Sequence, residues 1–192
     1  WSAFDHLNPD LDWGPRSLDS DWLHANSIGI GPRRNITLSL HFLNQVVSIT
    51  PDFRAIEWRL GGVRPTITVD DPFSGQHTVR EIAPGRVLMF DNGFDRMETR
   101  YSRAVEYQLR GSSAPSVWSW RPERDNWARV VSSARRLPNG NTLVAFGVPR
   151  DMPIGSTRPI APYEIDQRGT VIWHLTISGA LSLYRATPLF DL

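Results

Sequence analysis

Three stretches of this chain read as copies of one another, and two of them carry a histidine at the same place. The copies open with Asp21-Trp-Leu-His24-Ala-Asn-Ser-Ile28, Gly75-Gln-His77-Thr-Val-Arg-Glu-Ile82 and Val130-Val-Ser-Ser-Ala-Arg-Arg-Leu137. His24 and His77 lie 53 residues apart, and the third copy begins at nearly the same interval. A period of this size built from strands marks a repeat array such as a propeller. In such an array equivalent positions gather around one axis, so histidines distant in sequence become neighbours in space.

Each copy continues in step. The second strands read Asn35-Ile-Thr-Leu-Ser-Leu40, Gly85-Arg-Val-Leu-Met-Phe90 and Asn141-Thr-Leu-Val-Ala-Phe146. The closing hairpins carry Trp58, Trp118 with Trp120, and Trp173. Asn139-Gly140 between two apolar runs is the strongest local hairpin signal, since both residues accept the positive φ of a tight turn. Four short strands per copy make a propeller blade. The expectation is an all-β chain of four-stranded antiparallel blades, one propeller segment over 1–192. Its blades run approximately over 21–62, 75–122 and 130–178. Residues 1–20 are read as the end of a preceding blade, with Trp1–Leu7 the end of its outer strand, and its connection, and 179–192 as the start of the next or a closing strand. The repeated tryptophans are read as packing between blades.

Three full copies are fewer than the four blades with which a propeller ring starts. Open sheets would leave edges and apolar faces uncovered, so further polypeptide is expected to complete the ring. A homo-oligomer is one arrangement open to such a chain.

Composition narrows the chemistry. With 40% hydrophobic residues, 21% charged and eight Trp, the chain has material for a packed core and too little charge for disorder. All 21 basic residues are Arg, which removes lysine nucleophiles and the phosphate-loop lysine. Zero Cys removes thiol catalysis and zinc–cysteine sites. A net charge of +1 argues against a nucleic-acid footprint. Two histidines without a clear carboxylate partner make a poor metal site, and none is expected. Asn35-Ile-Thr37 has the form of a glycosylation sequon.

Taken in order, Trp1-Ser-Ala-Phe-Asp-His6, Asp21-Trp-Leu-His24-Ala-Asn-Ser-Ile28, Trp58-Arg-Leu-Gly-Gly62, Gln76-His77, Phe90-Asp-Asn-Gly93, Ser102-Arg-Ala-Val-Glu-Tyr107, Arg136-Leu-Pro-Asn-Gly-Asn-Thr-Leu143 and Tyr184-Arg-Ala186 resemble the nucleotide-independent arylsulfotransferases. The resemblance covers nearly the whole chain. It implies a six-bladed propeller and ping-pong transfer of a sulfuryl group from an aryl sulfate to a phenol through a sulfo-histidine, with no cofactor. It also implies a periplasmic or secreted protein.

In that reading His77 matches the nucleophile, and His24 matches a second active-site histidine that binds a sulfuryl oxygen or handles the phenol proton. His41 stands where the family has an arginine, as a shorter and only partly cationic substrate-binding group. Arg80 and Arg103 are further candidates for substrate binding. Arg80, three residues beyond His77, reaches the same site only if the strand is irregular. His6 and His174 are read as structural or exposed. The rival reading from another class is a catalytically silent propeller serving as a binding or scaffold subunit.

Overall fold

The computed structural model describes residues 1–123, 127–149, 161–177 and 182–188. Residues 150–160 and 178 of the third copy, and 179–181 and 189–192 of the closing segment, lie outside the described residues.

Three four-stranded antiparallel sheets follow one another along the chain. The first comprises β1 (Ala25–Ile30), β2 (Ile36–Leu40), β3 (Gln45–Ile49) and β4 (Ile56–Leu60), and the second β5 (His77–Ala83), β6 (Arg86–Asp91), β7 (Arg103–Gln108) and β8 (Ser116–Trp120). The third comprises β9 (Ser133–Arg136), β10 (Thr142–Ala145), β11 (Pro162–Ile165) and β12 (Val171–His174). Strand order within each sheet is chain order, so each strand pairs with the next strand of its sheet along the chain. The hairpin forms at Asn139-Gly140 as expected, but with only Gly140 at positive φ (+85°), its N–H donating to the Leu137 carbonyl.

The sheets stack through two apolar layers. Val46, Trp58 and Leu60 meet Val79, Val87, Met89, Val105 and Tyr107 between the first and second sheets. Leu88, Phe90, Ala104 and Trp120 meet Ala134, Val144, Phe146 and Ile165 between the second and third. Each large side chain fully removed from water contributes about 1.5–3 kcal/mol. Alternation makes this two-sided burial possible: Val87 and Met89 face one neighbour, Leu88 and Phe90 the other. Trp58 and Trp120 do pack between sheets, whereas Trp173 is 47% exposed on the outer strand of the third.

A hydrogen bond repeated between inner strands locks the sheets in register. The Val79 amide donates to Ser27 Oγ, and one repeat later the Ala186 amide donates to Ser133 Oγ. Tyr184-Arg-Ala186 thus lies beside β9 as β5 lies beside β1. At the other end the expected strand over Trp1–Leu7 is instead a turn of 3₁₀ helix, Ala3–Asp5. The amides of His6 and Leu7 both bond back to Ala3, and Leu7 is buried in a third cluster with Trp22, Leu40 and Leu43. The chain compacts here because it packs under Trp22 and not along a sheet edge.

Asn35 is completely buried and its amide donates to Ser48 Oγ and a Glu81 carboxylate oxygen. The sequon is therefore closed to glycosylation in the folded chain.

Candidate functional site

Three histidines converge at one end of the inner strands. The His41 ring stands between the other two, 5.4 Å from His24 and 5.2 Å from His77 by ring centroid. The backbone explains the gathering. The amides of His41 and Phe42 donate to the carbonyls of His24 and Leu23, so the 3₁₀ turn His41–Leu43 is zipped onto the entry to β1. Phe42 then stacks on His24 at 4.6 Å. His24 and Thr78, at the entries to the first two inner strands, and Val131 at the third all have positive φ. Such a conformation in β-branched residues is strained and tends to cluster at functional sites.

His77 is buried and its ring is held from one side. Nδ1 lies 2.8 Å from Asn92 Oδ1 and 3.2 Å from the Gly75 carbonyl. Asn92 has no choice of orientation, because its amide nitrogen donates to the carbonyls of Ala128 at 2.6 Å and Val131 at 3.2 Å. Its Oδ1 can therefore only accept, and His77 Nδ1 carries the proton. The lone pair is left on Nε2, which is the nucleophilic form of imidazole. Burial lowers the pKa of His77, against the raising effect of Asn92 and Gly75, so the ring stays neutral below the ordinary histidine range.

His24 is held differently. Its Nδ1 lies 2.5 Å from an Asp21 carboxylate oxygen, and its amide donates to the other oxygen. The Asp-Trp-x-His spacing thus builds a carboxylate–imidazole pair whose Nε2 is left for a proton. The His24 side chain is half exposed.

His41 departs from its expected role. Its pKa falls to about 3, first through burial, then through His77, Arg16 and His24. It is therefore neutral, not partly cationic, and its buried Nδ1 has no hydrogen-bond partner. The cation that acts on this ring is Arg16, which the sequence reading missed. Arg16 Nη2 donates to the His41 carbonyl at 2.8 Å and to Asn44 Oδ1, while Nη1 pairs with Asp95 at 2.5 Å. Its buried Nε has no partner. No motif flagged it, because it sits in the connection before the first repeat.

A cleft of about 670 Å³ is lined by Arg16, Leu18, His24, His41, Phe42, Phe94, Arg129 and Val130; His77 is not in its lining and lies 5.2 Å from His41. Arg16 and Arg129 both lie over the Phe94 ring, at 4.7 and 4.8 Å. An aromatic, largely apolar cleft with two guanidinium groups and imidazoles suits an aryl oxyanion.

The two arginine candidates fall elsewhere. Arg103 is not brought to the histidines. It is buried, its Nε donating to Asp91 at 2.9 Å and its Nη1 pairing with Asp71. Asp91 in turn accepts the amides of Ser74 and Gly93, so Arg103 braces the loops on either side of His77 and Asn92. For Arg80, β5 does have the required irregularity. His77 pairs with Phe90 and Arg80 with Leu88, a bulge that sets His77 and Arg80 opposite residues of one face. The Arg80 guanidinium nevertheless bonds to the Ile28 and Val79 carbonyls and does not line the histidine cleft. His6 stacks on Trp1 and His174 on Tyr163, both apart from the cluster. Among the described residues no group of three or more histidines and carboxylates is arranged to hold a metal ion.

The chain is an all-β repeat of four-stranded antiparallel sheets that gathers three histidines at one end of its inner strands. The chain belongs to the arylsulfotransferase (ASST) family, whose model matches residues 1–159. No curated protein matches it. Among solved structures it is similar to two proteins described as 6-phosphogluconolactonases. The one from Bacteroides uniformis has 10% identity and a TM-score of 0.39, covering 90% of this chain and 58% of that one. The one from Bacteroides fragilis has 10% identity and a TM-score of 0.38, covering 90% and 59%. The chain thus spans less than two thirds of the length of either.

Proposed function

We propose that the protein transfers a sulfuryl group from an aryl sulfate to a phenol through a sulfo-histidine at His77. The observation that carries this reading is the Asn92–His77 hydrogen bond, which leaves Nε2 unprotonated on a ring 5.2 Å from His41, itself in the lining of the cleft.

In the first half-reaction the Nε2 lone pair of His77 attacks sulfur, the N–S bond forms, and the S–O bond to the aryl group breaks with its electron pair leaving on the phenolate. His77 becomes an N-sulfo-imidazolium whose Nδ1 proton still points to Asn92 Oδ1, where the developing positive charge is stabilised. The phenolate takes a proton from the His24 imidazolium, which is left neutral. In the second half-reaction His24 Nε2 removes the proton of the incoming phenol, its oxygen attacks sulfur, the S–N bond breaks, and neutral His77 returns. The Asp21 carboxylate stabilises the His24 imidazolium that starts the first half and is regenerated by the second. Arg16 supplies the cation at the sulfuryl oxygens that position 41 lacks.

The same reading makes the three sheets consecutive blades of a six-bladed propeller completed by additional polypeptide, in a periplasmic or secreted protein acting on phenolic small molecules. The test uses the complete protein with p-nitrophenyl sulfate, with and without a second phenol. Acceptor-dependent release of p-nitrophenolate that is lost in His77→Ala supports the transferase. No release from a well-folded protein points to a silent binding subunit.

A further inference from the structure

Away from the histidine cleft, a second cleft of about 510 Å³ is lined by Arg80, Arg135, Arg136, Glu81, Ile82, Leu137, Pro138 and Pro188. We infer that it is a separate anion site, built on the inner strands β5 and β9, which takes a small oxyanion: free sulfate, or the carboxylate or sulfonate of a small organic molecule.

Arg80 carries the argument. Among the described residues its guanidinium pairs with no carboxylate and donates to the backbone carbonyls of Ile28 and Val79. Those contacts aim the group without neutralising it. Room for it comes from Gly29 on the adjacent strand, where a Cβ would fall 2.6 Å from Arg80 Nη1. The acid nearest in the lining is not available to it. Glu81 is buried and accepts from Asn35 Nδ2 and the Gly85 amide. Arg136 is held in place by Glu106 and the Gly140 carbonyl. Burial, followed by Arg185 and Arg135, lowers the pKa of Arg80, as befits a partly buried cation among cations. An oxyanion seated here would relieve that repulsion through charge-assisted, planar hydrogen bonds. Ile82, Leu137, Pro138 and Pro188 supply apolar walls for an organic carrier.

Binding is read without turnover, so the inference stands or falls independently of the transferase reading. Sodium sulfate is titrated calorimetrically into the complete protein at fixed ionic strength against chloride, in wild type, Arg80→Gln, Gly29→Ala and His77→Ala. A parallel arm compares 4-hydroxybenzoate with phenol. The expected result is a sulfate affinity weakened roughly tenfold or more in Arg80→Gln, weakened in Gly29→Ala, whose methyl displaces the guanidinium without deleting it, and unchanged in His77→Ala. Preference for 4-hydroxybenzoate over phenol, lost in Arg80→Gln, assigns the site to an organic anion. Sulfate binding without that preference assigns it to the inorganic ion. Affinity that survives both Arg80→Gln and Gly29→Ala, affinity lost only in His77→Ala, or no binding to wild type overturns the inference.

Discussion

Asn92 Oδ1 accepts from His77 Nδ1 at 2.8 Å, and the Asn92 amide nitrogen is itself committed to the Ala128 and Val131 carbonyls. Because Asn92 is fully buried, it has no water to exchange these partners for. The tautomer of the proposed nucleophile is therefore dictated by backbone carbonyls one repeat away.

Replacing Asn92 by Leu removes the acceptor. The expected loss in kcat is roughly 10²- to 10⁴-fold, with KM little changed. The unpaired backbone groups cost about 1–3 kcal/mol of stability. Nitrogen NMR of the His77 ring separates the two effects: the account requires the Nδ1-protonated tautomer in wild type and a mixture in the variant.

The acid limb of the pH–rate profile offers a second check. Burial lowers the pKa of His77 and Asn92 opposes that shift. The neutral ring persists to a pH below the ordinary value of about 6.5, so kcat/KM falls only in more acid solution. In Asn92→Leu the opposing bond is gone and the limb should move further down. A limb at the ordinary value in wild type contradicts the buried placement of this ring.

Asp21 is bonded to His24 through both its oxygens. Asp21→Asn keeps the size and removes the charge that stabilises the His24 imidazolium, so turnover should fall by about tenfold or more. More acidic acceptor phenols need less help in losing their proton. The defect should shrink across a series of them, and a defect constant across that series would remove His24 from proton handling.

His41 makes a prediction about stability. Its folded pKa, about 3, lies below the unfolded value of about 6.5, so the unfolded chain binds the proton first. The stabilisation from keeping this ring neutral is fully present above the unfolded value and is lost as pH falls towards the folded one, at up to about 1 kcal/mol per pH unit. Urea melts of wild type and His41→Asn across this window measure it. The variant's stability should fall less steeply with acidification.

The repeat itself was legible because a strand buried on both faces must be apolar along its length and must stop at a polar turn. Gly85–Phe90 and Asn141–Phe146 hold such apolar runs, Asn35–Leu40 alternates them with Thr37 and Ser39, and the middle strands fall in all three. Trp1–Leu7 misled because a short apolar run does not distinguish a strand from a 3₁₀ turn packed under a tryptophan. His24 and His77 were legible from equivalent positions. Asn92 was visible within Phe90-Asp-Asn-Gly93, but its role depends on a contact across 15 residues that has no sequence period. Arg16 lies outside every repeat and reaches His41 and Asp95 only through the fold. The neutrality of His41 follows from burial beside His77, Arg16 and His24, which composition does not encode.

The most direct test traps the intermediate. The complete protein is mixed with an aryl sulfate in the absence of acceptor, quenched in alkali, digested and sequenced by mass spectrometry. The account predicts a stoichiometric burst of phenolate and one sulfuryl group on the His77 peptide, discharged when a phenol is added. A burst with the label on His24 or His41, or acceptor-dependent turnover with no labelled histidine, would contradict His77 as the nucleophile.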